Sequence, residues 1–265
     1  DPDHLDIYGD ADEMTKSYLA FIHKTDPEGQ ILLHKDVSSK LGADLLRKHR
    51  TYGLEGAQIT ANNIRVEASK FVFDYVGAVE IKNLHLALPG FHNVENALAA
   101  ITAALDRGVG PDFIKEAIES YRGVKRRFEF ILDRSDLVYI DDYAHHPNEI
   151  AALLKSAKKL YPEKKITVVF QPHLFSRTRD FYQEFAEKLS LADEVIMLDI
   201  YPAREQPIPG VDAHLILDRI TQVNKKMASL NDFPTILNAS NVEVLLTVGA
   251  GSIDTLVPII KSFYT

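Results

Sequence analysis

The sequence predicts an α/β protein in two parts: a mixed first part containing an antiparallel meander, and a doubly wound, mostly parallel, Rossmann-like second part. Strand and helix patterns alternate regularly from about residue 123 to the end of the chain. Apolar and polar residues alternate between residues 58 and 88, as in an antiparallel sheet. A length of 265 residues with 46% hydrophobic content can furnish two cores, so we place the domains at 1–122 and 123–265.

The first part mixes short helices and strands around the meander. Apolar residues at helical spacing indicate the helices, and short apolar runs indicate the strands. In order, the predicted elements are a helix over 10–23, a strand over 30–33, a helix over 38–49, a strand near Thr51, the meander over 58–88, and helices over 93–107 and 111–121. Pro111 lies in the first turn of the last helix, where proline is favoured.

The second part follows a strict strand-helix rhythm, which is typical of a parallel sheet with right-handed crossovers. Strands are predicted over 137–141, 166–170, 194–199, 235–238 and 243–248, and helices over 147–160, 179–190, 212–223 and 253–263. Only a few residues separate the last two strands, whereas a parallel crossover needs a dozen or more. Either these strands are antiparallel or residues are missing near 239–242, and we favour missing residues.

Composition excludes several classes of function. A formal net charge of −8 argues against nucleic acid as the main partner. The absence of cysteine excludes disulfides, a thiolate nucleophile and sulfur-ligated metal. Neither an uninterrupted apolar run of membrane-spanning length nor a signal-peptide pattern is visible, so we expect a cytoplasmic protein without a membrane partner. The chain begins without methionine, and we expect it to be a fragment.

Two polar segments follow successive strands of the second part, which we expect to be neighbours in the sheet, and mark the candidate site. They are DDYAHHP at residues 141–147 and QPHLFSRTRD at residues 171–180. Ligands bind beyond the carboxyl ends of parallel strands, where a carboxylate can accept ribose hydroxyls or hold a cation and a histidine can relay protons. The alternative for the first segment is helix capping with surface histidines.

The second segment carries arginines whose planar groups suit a carboxylate or phosphate. The alternative is ion pairing within the helix, with Asp180 or Glu184 as partner, and we favour Arg177 over Arg179 as the functional residue. The run of Lys125, Arg126 and Arg127 is a second candidate for anion binding, or else a solvated surface run.

Weaker candidates lie elsewhere in the chain. Asn93 and Asn96 share one face of a first helical turn and can match a purine edge, although an Asn N-cap is equally plausible. His4 and Asp6 can reach one divalent cation, but two ligands are far from a site. The glycines in residues 248–252 could let a phosphate approach the backbone, but they lack the spacing of known phosphate loops.

Taken together, these segments resemble the Mur ligase family, and within it the branch that adds alanine. The resemblance rests on DPDHLD at 1–6, GFHNVEN at 90–96, RRF at 126–128, the two strand-end segments and GAG at 249–251. It implies the latter part of a central ATP-binding domain followed by a complete C-terminal amino-acid domain. It implies ATP and Mg²⁺ as cofactors, with UDP-N-acetylmuramate and L-alanine as substrates.

The resemblance also implies roles for individual residues. His4 matches a metal ligand, Asn93 and Asn96 match adenine contacts, Arg127 matches a phosphate contact, and Asp142 matches a ribose contact. The alanine pocket maps onto Tyr143, His145, His173 and Arg177, with His145, His173 and Arg177 as catalytic residues. Leu174 stands where some members carry arginine, which puts more weight on Arg177 for binding the carboxylate.

The implied reaction is an ATP-dependent ligation through an acyl phosphate, with domain closure about a hinge near Gly123. The chain contains no lysine-bearing phosphate loop, so we expect it to be inactive as a ligase by itself. Three alternatives stay open: a ligase that recycles tripeptides, a non-catalytic nucleotide- or sugar-binding module, and a structural domain whose polar strand ends are only caps.

Overall fold

A computed structural model describes residues 5–67, 70–86, 88, 90–221, 224–231, 233 and 242–265. These residues form two compact units, the first within residues 1–121 and the second comprising 122–265 together with 68–70 and 87–91. Each unit is an α/β structure in its own right, and the predicted fold class is confirmed. The functional domains 1–122 and 123–265 stay a prediction.

The first unit places short helices and a small parallel sheet before a three-stranded sheet. Its elements are α1 (Leu5–Tyr8), α2 (Ala11–His23), β1 (Leu32–His34), α3 (Lys35–Leu41), β2 (Arg50–Tyr52), β3 (Thr60–Glu67), β4 (Lys70–Val76), β5 (Glu80–Leu86), α4 (Phe91–Asp106) and α5 (Pro111–Ser120). Asp10 caps α2 by accepting a hydrogen bond from Glu13 N at 2.8 Å. The helix predicted over 38–49 was wrong, because Gly42, at φ 52°, ends α3 after Leu41.

The predicted antiparallel meander is confirmed as the sheet β3-β4-β5. β4 supplies its centre, with Phe71, Phe73 and Tyr75 buried. The buried carboxylate of Asp74 accepts hydrogen bonds from Asn63 Nδ2 at 2.6 Å and Asn83 N at 2.8 Å. Both asparagines have positive φ, which asparagine tolerates better than most residues. The Asp74 carboxylate of β4 therefore links β3 and β5 at the two asparagines with positive φ.

The second unit is built on a six-stranded sheet in the order β10-β9-β8-β11-β7-β6. Its elements are β6 (Glu129–Asp133), β7 (Val138–Asp142), α6 (Pro147–Leu160), β8 (Ile166–Phe170), α7 (Phe175–Leu189), β9 (Glu194–Met197), α8 (His214–Leu217), β10 (Asn224–Met227), β11 (Val244–Val248) and α9 (Leu256–Tyr264). β6 is antiparallel to β7, and the other neighbouring pairs are parallel.

Several predicted elements of this unit need correction. β6 and β10 are edge strands that the sequence reading missed, and the helix predicted over 212–223 is only the short α8. α7 begins at Phe175, four residues before the predicted start. The predicted strand 235–238 lies outside the described residues. β11 is parallel to both β7 and β8, which occupy its two edges, so it is not half of an antiparallel hairpin.

Helices cover both faces of this sheet, as a doubly wound fold requires. On one face, α9 packs through Leu256 and Ile260 against a core that includes Tyr139, Val169 and Ile196. On the other face, α6, α7 and α8 pack side by side, and Phe170 of β8 contacts Phe185 of α7 with ring centroids 5.4 Å apart. In the described part of the chain, no helix has the length and apolar character needed to cross a bilayer.

A candidate amino-acid site at the strand ends of the second unit

The candidate site lies beyond the carboxyl ends of β7 and β8. These strands follow each other in the chain, but the expectation that they are also neighbours in the sheet was wrong, because β11 lies between them. The loop after β11 fills this gap with small residues. A Cβ at Gly249 would lie 2.7 Å from Gln171 O, and a Cβ at Gly251 would lie 2.6 Å from Gln171 Oε1. Because these two glycines have no Cβ, the loop after β11 can pack closely against Gln171.

Four predicted pocket residues come together above this gap. The rings of Tyr143 and His145 meet edge to face with centroids 5.4 Å apart. The rings of His145 and His173 lie 6.2 Å apart, and Arg177 Nη1 lies 3.5 Å from His173 Nδ1. Side chains that follow two separate strands thus form one cluster.

Hydrogen bonding indicates which nitrogen of each histidine carries the proton. His145 Nδ1 lies 2.9 Å from Tyr143 O and 3.5 Å from Glu149 Oε2, both acceptors, so Nδ1 is the protonated nitrogen of neutral His145 and the lone pair is on Nε2. His173 Nδ1 faces a guanidinium donor, so it accepts and the proton is on Nε2. At the Nε2 atoms, His173 is therefore a hydrogen-bond donor and His145 is a hydrogen-bond acceptor.

The charge state of His173 follows from its surroundings. Burial lowers its pKa to about 4, and the positive charge of Arg177 acts in the same direction. His173 is therefore neutral at pH 7. Of these two side chains, Arg177 therefore carries the positive charge that can bind an anion, and His173 can contribute only a hydrogen bond.

The two arginines at 126 and 127 have different surroundings. Arg126 is largely buried, with Nε 3.1 Å from Asp141 Oδ2, and it also donates to Gly249 O. Its guanidinium carbon lies 5.0 Å from the centroid of the Tyr143 ring. Arg127 is 52% exposed and lies 5.6 Å from the same ring. Arg126 thus holds Tyr143 in place, whereas Arg127 is the more accessible cation.

Asp142 is buried, and both of its carboxylate oxygens accept hydrogen bonds from backbone N–H groups. Oδ2 accepts from Phe128 N at 2.7 Å and Oδ1 accepts from Ala144 N at 2.8 Å. Burial raises the pKa of Asp142 to about 6, against the opposing effect of these hydrogen bonds. Asp142 therefore orders the segment that leads to Tyr143, and its predicted contact with ribose stays a prediction.

The remaining predicted site residues lie in the first unit or outside the described residues. Near the start of α4, Asn96 Nδ2 lies 3.5 Å from Asn93 Oδ1, so the two side chains share a face as predicted. The predicted metal ligand His4 lies outside the described residues. Within the described ranges, no group of three or more His, Cys, Asp or Glu residues is arranged to hold a metal ion.

Three residues of the cluster were missed by the sequence reading. Tyr201 stacks on His173 with centroids 5.7 Å apart and planes at 25°. Glu149 Oε2 accepts from His145 N at 2.9 Å and His146 N at 3.2 Å. Glu205 accepts hydrogen bonds from Ser176 at the start of α7. Of these, only Glu149 carried a local signal, as the acidic third residue of a helix that follows His146.

The fold and this cluster define an α/β protein with a polar ligand site at the carboxyl ends of parallel strands. The Mur ligase middle domain matches residues 1–104, and the glutamate ligase domain of Mur ligases matches residues 126–251. The chain therefore belongs to the Mur ligase family, and the resemblance seen in its motifs is confirmed.

Relatives of known name and structure agree with this assignment. The chain is 43% identical to the UDP-N-acetylmuramate–L-alanine ligase of Phocaeicola vulgatus, over 97% of this chain and 57% of that protein. The protein of that name from Cytophaga hutchinsonii is 43% identical, over 98% of this chain and 56% of its own length. The chain thus spans somewhat more than half the length of these relatives.

Solved structures share the fold. The UDP-N-acetylmuramate–alanine ligase MurC of Thermotoga maritima matches with a TM-score of 0.76 at 28% identity, over 99% of this chain and 57% of that one. MurF of Acinetobacter baumannii matches with a TM-score of 0.75 at 19% identity, over 98% of this chain and 57% of that one.

Proposed function

We propose that the protein containing this chain joins L-alanine to the carboxylate of UDP-N-acetylmuramate with consumption of ATP. The observation that carries this proposal is the donor and acceptor pattern of Arg177, His173 and His145. Arg177 and the Nε2–H of His173 are donors suited to a carboxylate, whereas His145 Nε2 is an acceptor suited to an ammonium group. An amino acid carries these two groups on one carbon.

The proposed reaction has two steps. A carboxylate oxygen of the sugar attacks the γ-phosphorus of ATP, ADP leaves, and an acyl phosphate forms. The ammonium group of L-alanine gives one proton to His145, the resulting amine attacks the carbonyl carbon, phosphate leaves, and the nitrogen loses its second proton to solvent. In this scheme Arg177 binds the alanine carboxylate, and this contact orients the amine for attack.

We assign proton acceptance to His145 rather than to His173. A pKa of about 4 makes His173 a weak base at pH 7, so its role is to donate a hydrogen bond and to orient Arg177. His145 keeps its lone pair on Nε2 because Nδ1 donates to Tyr143 O. Tyr143 in turn is held by Arg126, which packs against its ring.

The proposal also gives nucleotide-binding roles to four further residues. Asn93 and Asn96 offer paired amide groups that match a purine edge, and Arg127 offers an accessible cation for phosphate. Each oxygen of Asp142 can accept a second hydrogen bond, so it can also accept one from a ribose hydroxyl. Mg²⁺ would neutralise phosphate charge when bound, but the described residues do not by themselves form its site.

This proposal also implies a cytoplasmic location, where ATP and nucleotide-linked precursors are available.

The alternatives predict different ligands. A tripeptide-recycling ligase would use a tripeptide in place of L-alanine, and a simple nucleotide-binding module would bind ATP and have no affinity for L-alanine.

The test measures phosphate release by the full-length protein with ATP, UDP-N-acetylmuramate and L-alanine. We expect Arg177→Lys to raise the KM for L-alanine about tenfold or more, because lysine keeps the charge but loses the two-point contact. The matched control is Arg179→Lys, since Arg179 is exposed and pairs with Asp180 at 2.7 Å. The KM for ATP should stay constant in both variants.

Two results would contradict the proposal. One is phosphate release that requires a tripeptide and ignores L-alanine. The other is an equal effect of Arg177→Lys and Arg179→Lys on the KM for L-alanine, which would remove Arg177 from the binding site.

A further inference from the structure

Helix α7 carries Arg177 in its first turn but lacks a capping side chain of its own. Leu174 occupies the N-cap position, and its aliphatic side chain cannot accept a hydrogen bond. Its φ of 71° is uncommon for a residue other than glycine, so neighbouring groups must hold this backbone in place. The first N–H groups of a helix need acceptors from elsewhere when the N-cap residue provides none.

The missing cap comes from a distant loop. Glu205 Oε2 accepts a hydrogen bond from Ser176 N at 3.0 Å, and Glu205 Oε1 accepts one from the Ser176 hydroxyl. A carboxylate at this position also interacts favourably with the helix dipole. A residue 29 positions away along the chain therefore completes the start of α7.

The same loop also holds the segment that carries His173. Leu174 N donates to Tyr201 O at 3.0 Å, and Tyr201 N donates to Pro172 O at 2.8 Å. The Tyr201 ring stacks on the imidazole of His173. Residues 201–205 thus contact the backbone before His173, the ring of His173 and the helix turn that carries Arg177.

We propose that Glu205 is a positioning residue for the amino-acid site, which acts by capping α7 so that Arg177 and His173 keep their relative placement. This inference rests on the proposed function for the nature of the substrate. The negative charge of Glu205 also lies close enough to His173 to raise its pKa, against the larger effects of burial and of Arg177. Glu205 itself makes its hydrogen bonds to Ser176 and is not assigned a contact with substrate.

The first experiment measures hydrogen exchange of the Ser176 and Thr178 amides in the 265-residue chain. We expect Glu205→Ala to speed their exchange about fivefold, the effect of losing a typical N-cap. Glu187→Ala is the matched control, because Glu187 is an exposed residue of the same helix that pairs with Lys188. Unchanged exchange in Glu205→Ala would overturn the proposed capping role.

The second experiment measures kinetics in the full-length protein. Glu205→Ala should raise the KM for L-alanine about fivefold while the KM for ATP and the far-UV circular dichroism stay unchanged. Glu205→Gln should restore most of the affinity, since its amide oxygen can still accept from Ser176 N. A KM for L-alanine within twofold of wild type in Glu205→Ala, or no rescue by Glu205→Gln, would overturn the inference.

The two experiments separate this inference from the proposed function. If the wild-type protein does not use L-alanine but Glu205→Ala still loosens the first turn of α7, the proposed function fails and the capping of α7 stands. If L-alanine is used and neither exchange nor KM responds to Glu205→Ala, the proposed function stands and the inference about Glu205 fails.

Discussion

Gly251 lies where three chain segments meet, and replacing it with alanine would disturb the site through packing alone. Its φ of −93° lies outside the left-handed region, so Gly251→Ala does not force a side chain into positive φ. The new Cβ would lie 2.6 Å from Gln171 Oε1 and 2.6 Å from both Cβ and Cγ of Tyr201. Non-bonded carbon atoms prefer separations of about 3.5 to 4.0 Å, so these neighbours must move.

The cost follows from how firmly those neighbours are held. Tyr201 Cβ is fixed by the backbone and cannot turn away by a change of rotamer, and moving Cγ requires a change of χ1 that takes the ring off His173. Gln171 Oε1 accepts a hydrogen bond from Ile253 N at 2.9 Å, so moving it breaks a buried contact. Overpacking of this kind typically costs about 1 to 3 kcal/mol, and with three close contacts we expect about 2 to 3 kcal/mol.

The assay is urea unfolding of the 265-residue chain, with hydrogen exchange in β11 as a local probe of the second unit. The control is Gly210→Ala. Its φ of 76° brings strain of about 1 to 2 kcal/mol, but within the described structure no heavy atom lies within 4 Å of the new Cβ. Only Gly251→Ala should displace Tyr201 from His173, seen as changed chemical shifts of the His173 ring. A loss below about 0.5 kcal/mol, or unchanged His173 shifts, would refute this reasoning.

Two further predictions concern protonation. Glu194 is buried and paired with Lys165 at 2.6 Å and Lys226 at 3.2 Å, and although burial raises its pKa, these partners lower it overall. Its stabilising effect is therefore present above about pH 4.5 and lost as pH falls through the lowered pKa. In urea unfolding, Glu194→Gln should cost about 1 to 3 kcal/mol at pH 7, and this cost should shrink as the pH falls below 4.5. For His173, NMR titration of the ring should give a pKa of about 4. The unfolded chain binds this proton near pH 6.5, so protonation favours unfolding as the pH falls from 6.5 to 4. His173→Gln removes this group and should therefore lessen the loss of stability over that range. A cost of Glu194→Gln that stays constant as the pH falls, or titration of His173 near pH 6.5, would contradict these assignments.

Local signals were enough to predict the elements with clear ends. α6 begins and ends where expected, since Pro147 starts it and an apolar stripe runs through it. β8 is a short, fully buried apolar strand and was also predicted to the residue. β10, with the sequence NKKM, has little apolar character because it lies at the sheet edge, so no local pattern marked it.

The site was predictable only where its residues follow strands directly. His145 and His173 stand at strand ends, and their convergence follows from the rule for parallel sheets. The position of β11 between β7 and β8 is a long-range pairing that no local pattern encodes. The contacts of Tyr201 and Glu205 depend on how a later loop folds back, and the sequence reading missed both for that reason.

The placement of β11 has a consequence for biosynthesis. Of the described strands in this sheet, β11 is synthesised last, yet it lies in the middle of the sheet, and its Thr247 hydroxyl donates a hydrogen bond to Asp141 across 106 residues. A nascent chain that ends before residue 244 would leave the facing edges of β7 and β8 without a partner, and such edges invite association with other chains. The ribosome must therefore synthesise the chain through residue 248 before the two histidines can meet, and termination before that point would yield an aggregation-prone product.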